Sequence, residues 1–181
     1  MSPKTKSLPG KKAVPARAAP RKPAARKAAT PPKPRSRPAA STESIQADDA
    51  PRAVGHYPHA RRAGNLLFLS GIGPRNPGDD RINGNVYDAD DRLISYDIDA
   101  QVRAVFQNVR AVLEASGAAW EDLVDITVYL TDMGRDFARY NAIWAEYFPD
   151  ADQAPCRTTL GITALPTPIA IELKCTAVVG K

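Results

Sequence analysis

DIDAQVRAVFQNVRAVLEASG, residues 97–117, followed after a short gap by LVDITVYL, residues 123–130, carries the two periodicities that decide the fold. In the first stretch Ile98, Val102, Val105, Phe106, Val109, Val112 and Leu113 recur at helical spacing and form one apolar stripe. Asp97 is placed to cap the first turn, and Gly117 to end the helix as a C′ glycine. In the second stretch Val124, Ile126, Val128 and Leu130 alternate with Asp125, Thr127 and Tyr129, the pattern of a half-buried strand.

Working outward, Asp136–Phe148 reads as a second helix with an aromatic face of Phe137, Tyr140, Ile143, Trp144 and Tyr147. Leu66–Ser70 between Gly64 and Gly71 reads as a buried strand paired with His59–Ala63. Residues 73–92, rich in Gly, Pro, Asn and Asp, read as a long irregular loop. Arg157–Thr163 is a strand, Leu165–Pro168 a turn and Ile169–Val179 a last strand with Ile169, Ile171, Leu173, Cys175 and Ala177 inward. This order predicts an α+β domain, one sheet with both helices on one face. The other face would carry Asp125, Thr127, Tyr129, Glu172, Lys174 and Thr176, a mixed surface that predicts packing against further copies.

Composition divides the chain. Residues 1–40 hold 12 Lys and Arg and no Asp or Glu, so residues 1–50 carry a net charge of +9 and the remainder −4. Nine of the 17 prolines also fall in residues 1–40. Such a segment buries too little apolar surface to offset its ordering entropy. Residues 1–50 are therefore expected to be a disordered basic tail, and 51–181 one folded domain. The tail invites non-specific nucleic-acid contact through residues 1–40, or it is merely solubilising; it has no aromatics to stack on bases. No run of about 18 apolar residues is present to span a membrane. Cys156 and Cys175 have no CxxC spacing, so a disulfide framework and a zinc site are not expected, and a reducing cytoplasm fits. Only His56 and His59 are present, with no acidic or Cys cluster beside them, so no metal is expected.

Chemistry concentrates near the C-terminus in Pro155-Cys156-Arg157 and Ile171-Glu172. Arg157, at a strand start, suits bidentate capture of a carboxylate. Glu172, inside the next predicted strand, suits orientation and deprotonation of a water. The residues alone leave a structural Arg157–Glu172 salt bridge equally open. Cys156, adjacent to Arg157, is expected to point the other way, into the core.

These blocks, with Gly64–Gly71, Asn108…Leu113–Gly117 and Asp136-Phe137…Asn141, resemble the reactive intermediate deaminase (Rid) family over residues 54–179. The resemblance implies a chorismate-mutase-like mixed sheet with two helices, assembled as a trimer with sites at subunit interfaces. It implies hydrolysis of enamines or imines to a carbonyl and ammonia without cofactor. Tyr57–Gly64 and Ser70-Gly71…Arg75-Asn76-Pro77 are similar to the 2-aminomuconate deaminases within the family. That likeness implies conversion of 2-aminomuconate to 4-oxalocrotonate, in aromatic-amine or tryptophan breakdown. The alternatives are a general deaminase of 2-imino acids such as 2-aminoacrylate, and a nucleic-acid-associated protein with a non-catalytic trimer. The implied substrate-binding residues are Tyr57, Asn141 and Thr159, where Thr159 stands at a position more often cysteine. Arg75 would take a distal carboxylate, and His59 the same group or a proton in tautomerisation. Each has a plain reading as a packing or surface residue.

Overall fold

The computed structural model describes residues 41–180. Ten elements follow in order: β1 (Thr42–Ile45), β2 (Ala60–Ala63), β3 (Leu66–Leu69), β4 (Asn85–Tyr87), β5 (Leu93–Tyr96), α1 (Ile98–Ala115), β6 (Leu123–Leu130), α2 (Met133–Tyr147), β7 (Cys156–Gly161) and β8 (Ile171–Val178). Six strands form one sheet in the order β1-β2-β3-β8-β6-β7, with β6 and β7 parallel and the other neighbours antiparallel. β4 and β5 make a separate hairpin. The fold is the expected α+β arrangement, two helices on a mixed sheet.

Local chemistry sets the element ends. Asp97 caps α1, its carboxylate accepting from the Asp99 and Ala100 amides. Gly117, at φ 68°, closes the helix by letting the Ala118 amide reach back to the Leu113 carbonyl. The apolar stripe of α1 is buried as its spacing predicts, and faces Ile126, Val128, Leu130, Ile171, Leu173 and Cys175 of the sheet in one core. Phe106, Trp120, Tyr147 and Phe148 interlock where the helices meet; Phe106 lies 4.6 Å from Tyr147, and Trp120 stacks on Phe148 at 5.0 Å.

Several expectations are corrected. α2 begins three residues early, because Asp132 caps it by accepting from the Arg135 amide. Phe137 is 39 % exposed, and Asp136 takes the inward position instead. Tyr96 donates to the Asp136 carboxylate at 2.6 Å, joining the hairpin to α2. Burial raises Asp136 above its ordinary range and pushes the Tyr96 phenol up to about 12. Val124 is exposed, because an irregularity between Leu123 and Asp125 makes Leu123 the inward residue. Cys156 is exposed rather than core. The loop over 73–92 contains β4, so it is not irregular throughout. The last strand starts at Ile171, leaving Ile169 and Ala170 in the preceding loop.

The domain also starts before residue 51. β1 pairs with β2 along Thr42↔Ala63 to Ile45↔Ala60, and Ile45, Ala47 and Ala50 are buried. The tail boundary at residue 50 is therefore wrong by about ten residues. The polar sequence Ser41–Gln46 hides a strand whose pairing is supplied by β2. Residues 1–40, and with them the nucleic-acid expectation, lie outside the described residues. Among the described residues, no helix is long and apolar enough to cross a membrane.

A chain starting at residue 51 should be less stable than one starting at 41 by about 3 kcal/mol. It loses the Ile45 burial and leaves a buried histidine nitrogen without its donor. Chemical denaturation of the two truncated chains checks this; equal midpoints would return the boundary to 51.

Candidate active site

Arg157 lies on the edge strand β7, beside Ile126 of β6 and on the same face. That face is covered by α2, whose Tyr140, Asn141 and Trp144 lie within one helical turn. The guanidinium carbon sits 4.7 Å from the Trp144 ring centre and 5.5 Å from that of Tyr140. Nη2 donates to the Asn141 side-chain oxygen at 2.9 Å. Nη1 is buried and has no hydrogen-bond partner, and no carboxylate pairs with Arg157 among the described residues. The neighbouring Tyr140 hydroxyl is buried and without a partner too, and a buried N–H left unpaired costs about 1–3 kcal/mol, a cost that an acceptor bound in this cradle would remove. Thr159 lies two residues along the same face, beside Val128. The Tyr140 phenol is held above its ordinary range by burial, so it stays a neutral hydroxyl next to the cation.

Glu172 lies elsewhere. It pairs across β8 and β6 with Tyr129, so it projects from the face opposite Arg157. There it lines a cleft with Tyr57, Ser70, Gly71, Arg75 and Ile169. Burial raises the Glu172 carboxyl, and none of the ion pairs among the described residues involves it. A Cβ at Gly71 would run into that carboxylate, so glycine there makes room for it. The Ser70 hydroxyl donates to the Pro58 carbonyl at 2.6 Å and fixes the segment bearing Tyr57. Tyr57 is 41 % exposed at the rim.

Two expected ligands are otherwise engaged. His59 is buried with both ring nitrogens used: Nδ1 accepts from the Ala47 amide at 3.1 Å, and Nε2 donates to the Pro51 carbonyl at 2.9 Å. It fastens residues 47–51 to β2 and has no nitrogen left for a substrate, which corrects its assignment as a ligand. Arg75 does line the cleft, but Nη1 pairs with Asp80 at 2.6 Å and Nη2 donates to the Arg52 carbonyl.

Arg157 and Glu172 do not meet within one chain. β6 separates their strands, and register sends them to opposite faces, which removes the structural salt bridge as well. The structure brings together Arg157, Asn141 and Thr159 on one side, and Glu172, Tyr57 and Arg75 on the other. Sequence reasoning missed Tyr140 and Trp144 as the cradle of Arg157. Their four-residue spacing signals a helix face, which reads first as core. It also missed Gly71 and Ile169, whose roles depend on what lies opposite them.

Comparison with known proteins agrees with this architecture. The family model described as Endoribonuclease L-PSP matches residues 47–179. A RutC family protein of Pyrococcus horikoshii is 36% identical over 135 residues, covering 75% of this chain and 96% of that protein. The chloroplastic Reactive Intermediate Deaminase A of Arabidopsis thaliana is 34% identical over 135 residues, covering 75% of this chain and 65% of that protein. Among solved structures, a conserved Rid family protein of Yersinia pestis, of unknown function, superposes with a TM-score of 0.66 at 29% identity, covering 77% of this chain and 100% of that one. RidA of an Antarctic Psychrobacter gives 0.64 at 29% identity, covering 76% and 99%. With a matching model over most of its length and these relatives alongside, the chain belongs to the Endoribonuclease L-PSP family, the group that includes the Rid proteins.

Proposed function

We propose that the protein hydrolyses the imine or enamine form of an amino acid to the oxo acid and ammonia. The observation that carries this reading is the Arg157 cradle, with a buried N–H aimed at no partner, together with an unpaired, partly desolvated Glu172. The name of the Arabidopsis relative supports it. A substrate carboxylate on the Arg157 fork supplies the missing acceptor and places the C=N carbon. An enamine first takes a proton at carbon to become the protonated imine. Glu172 then accepts a proton from a water as its oxygen bonds to the imine carbon. It returns that proton to the nitrogen of the carbinolamine, and as the C–N bond breaks to release ammonia the hydroxyl on the carbon gives its proton to the carboxylate, leaving the carbonyl. No step calls on a cofactor.

Because the two groups face opposite ways in one chain, this chemistry requires two copies. Leu66, Phe68, Val124 and Leu160 are exposed apolar residues of the sheet. Packing sheets of neighbouring subunits around a threefold axis would cover them and bring one subunit's Arg157 to another's Glu172. A trimer is the proposed active form. A cytoplasmic setting is proposed with it, and contact of the basic tail with nucleic acid remains a separate proposal.

The narrower reading is 2-aminomuconate as substrate, with Arg75 on the distal carboxylate. The observation in its favour is that Arg75 lines the Glu172 cleft. Its amino groups are tied to Asp80 and the Arg52 carbonyl, so a distal carboxylate would have to displace Asp80. The monocarboxylate reading therefore leads.

Arg157→Ala is expected to lower kcat/KM for ammonia release roughly 100-fold in a folded protein, and Arg157→Lys to fail similarly because a point charge does not replace the fork. Glu172→Gln should lower kcat more than it raises KM. Since burial raises the Glu172 pKa, the base form is lost on acidification earlier than for an exposed glutamate. Activity should fall with its midpoint above the ordinary carboxylate range, and the glutamine variant should lack that limb. The same shift favours the folded state at low pH, an advantage lost as pH rises through the raised pKa.

Mixing the inactive Arg157→Ala and Glu172→Gln proteins, with subunit exchange, should restore roughly a quarter of wild-type activity, the share of interfaces that pairs two intact residues. No recovery in mixed trimers would place both groups in one subunit's site or outside the mechanism.

Arg75→Ala decides between the substrate readings. If Arg75 takes a distal carboxylate, loss on 2-aminomuconate should exceed loss on a monocarboxylate imine by roughly 10-fold or more. Equal losses measured at fixed ionic strength leave Arg75 as a support of its loop.

A further inference from the structure

The stripe of α1 that faces the core contains two polar side chains, Gln101 at 0 % exposure and Asn108 at 5 %. Seven residues apart, they lie about 10 Å apart along the same side of the helix. Neither bonds within the helix; both reach out to the loops that wall the Glu172 cleft. Asn108 Nδ2 donates to the Gly73 and Arg75 carbonyls, each at 2.8 Å. Gln101 Oε1 accepts from the Ala170 amide at 2.7 Å, and its Nε2 donates to the Asn85 oxygen at 2.7 Å. Asn85 passes the restraint on, donating to the Pro168 carbonyl at 2.9 Å. The backbone on the two sides of Ile169 is thus held by Gln101 directly and through Asn85, and the backbone on both sides of Pro74 by Asn108.

The two held loops meet across the cleft wall. A Cβ on Gly73 would come within 2.8 Å of Ile169 Cδ1, so the glycine allows Ile169 to close against the opposite loop. The Ile72–Leu173 bridge is the last ladder contact before this point. Beyond it, the separation of the walls depends on how far the two amides hold them from α1. An apolar residue at either helix position would fill the core equally well but would leave the loop groups without partners.

We propose that Gln101 and Asn108 are positioning residues that set the width of the cleft beside Glu172, through the Gly73–Ile169 contact, and thereby limit the size of the side chain a substrate carries. This rests on the reading of the cleft as the Glu172 half of the site. The amides touch no substrate; they act through Gly73, Ala170 and Ile169.

The test compares kcat/KM for ammonia release from the imines of alanine, leucine and phenylalanine, generated in the assay by an amino-acid oxidase. Asn108→Leu and Gln101→Glu are measured beside wild type, the second keeping the acceptor for Ala170 and losing the donor to Asn85. Ile169→Ala widens the same wall without touching the amides. All three should raise the phenylalanine-to-alanine ratio about 10-fold, the scale on which apolar pockets discriminate by size. A merely structural role lowers all three substrates alike and leaves the ratio unmoved. Folded amide variants with the wild-type ratio overturn the proposal, as does a shift confined to Ile169→Ala. If Asn108→Leu does not fold, Gln101→Glu alone decides. Binding of the product oxo acids, pyruvate against phenylpyruvate by thermal shift, gives the same ratio without turnover. An inactive wild type would therefore sink the deaminase reading while the affinity ratio still decides the amides.

Discussion

β6 stands between β7 and β8 and is hydrogen-bonded to both, parallel to one and antiparallel to the other. That single placement dictates where the ionisable groups go. Arg157 aligns with Ile126 and therefore points to the helices, while Glu172 aligns with Tyr129 and points away. A one-residue slip of either strand would send its side chain to the other face. The buried partners of the ladder, Ile126, Val128, Leu130, Leu173 and Cys175, forbid the slip because it would expose the core. The register that builds the hydrophobic interior thus also divides the chemistry into two halves.

Around this sheet, polar groups inside the core are used as fasteners. His59 ties the stretch after β1 to β2, and Asp136 with Tyr96 ties the hairpin to α2. Gln101 and Asn108 tie α1 to the cleft loops. Each satisfies backbone or hydroxyl groups that have no ladder partner, and such groups are costly when left dry. By contrast, Arg157 Nη1 and the Glu172 carboxylate have no such partners among the described residues. Arg157 is kept in place by aromatic faces and by one hydrogen bond from Nη2 to Asn141, which leaves Nη1 unused.

The errors of sequence reading share one cause. Phe137 and Asp136 exchange roles because Tyr96, forty residues away, offers the carboxylate a partner. Cys156 lies outside because α2 covers the Arg157 face of an edge strand, a fact of packing that alternation does not carry. Ser41–Gln46 looked like tail because β1 has no apolar pattern of its own, and its pairing comes from β2. His59 looked free because the atoms that engage it, the Ala47 amide and Pro51 carbonyl, are backbone groups invisible in side-chain patterns.

What the sequence by itself determined is the set of elements with strong periods and marked ends. The α1 stripe between Asp97 and Gly117, the strand Leu123–Leu130 and the inward face of β8 follow from residues close in the chain, whose spacing matches 3.6 or 2. The residue types of the site, an arginine at the start of β7 and a glutamate within β8, were legible on the same terms. Tertiary structure alone decided that these two belong to opposite faces, that Asn141 and Trp144 cradle one of them, and that His59 is already spent. Strand order and register join residues tens of positions apart, and their energy comes from contacts that no local window of sequence contains.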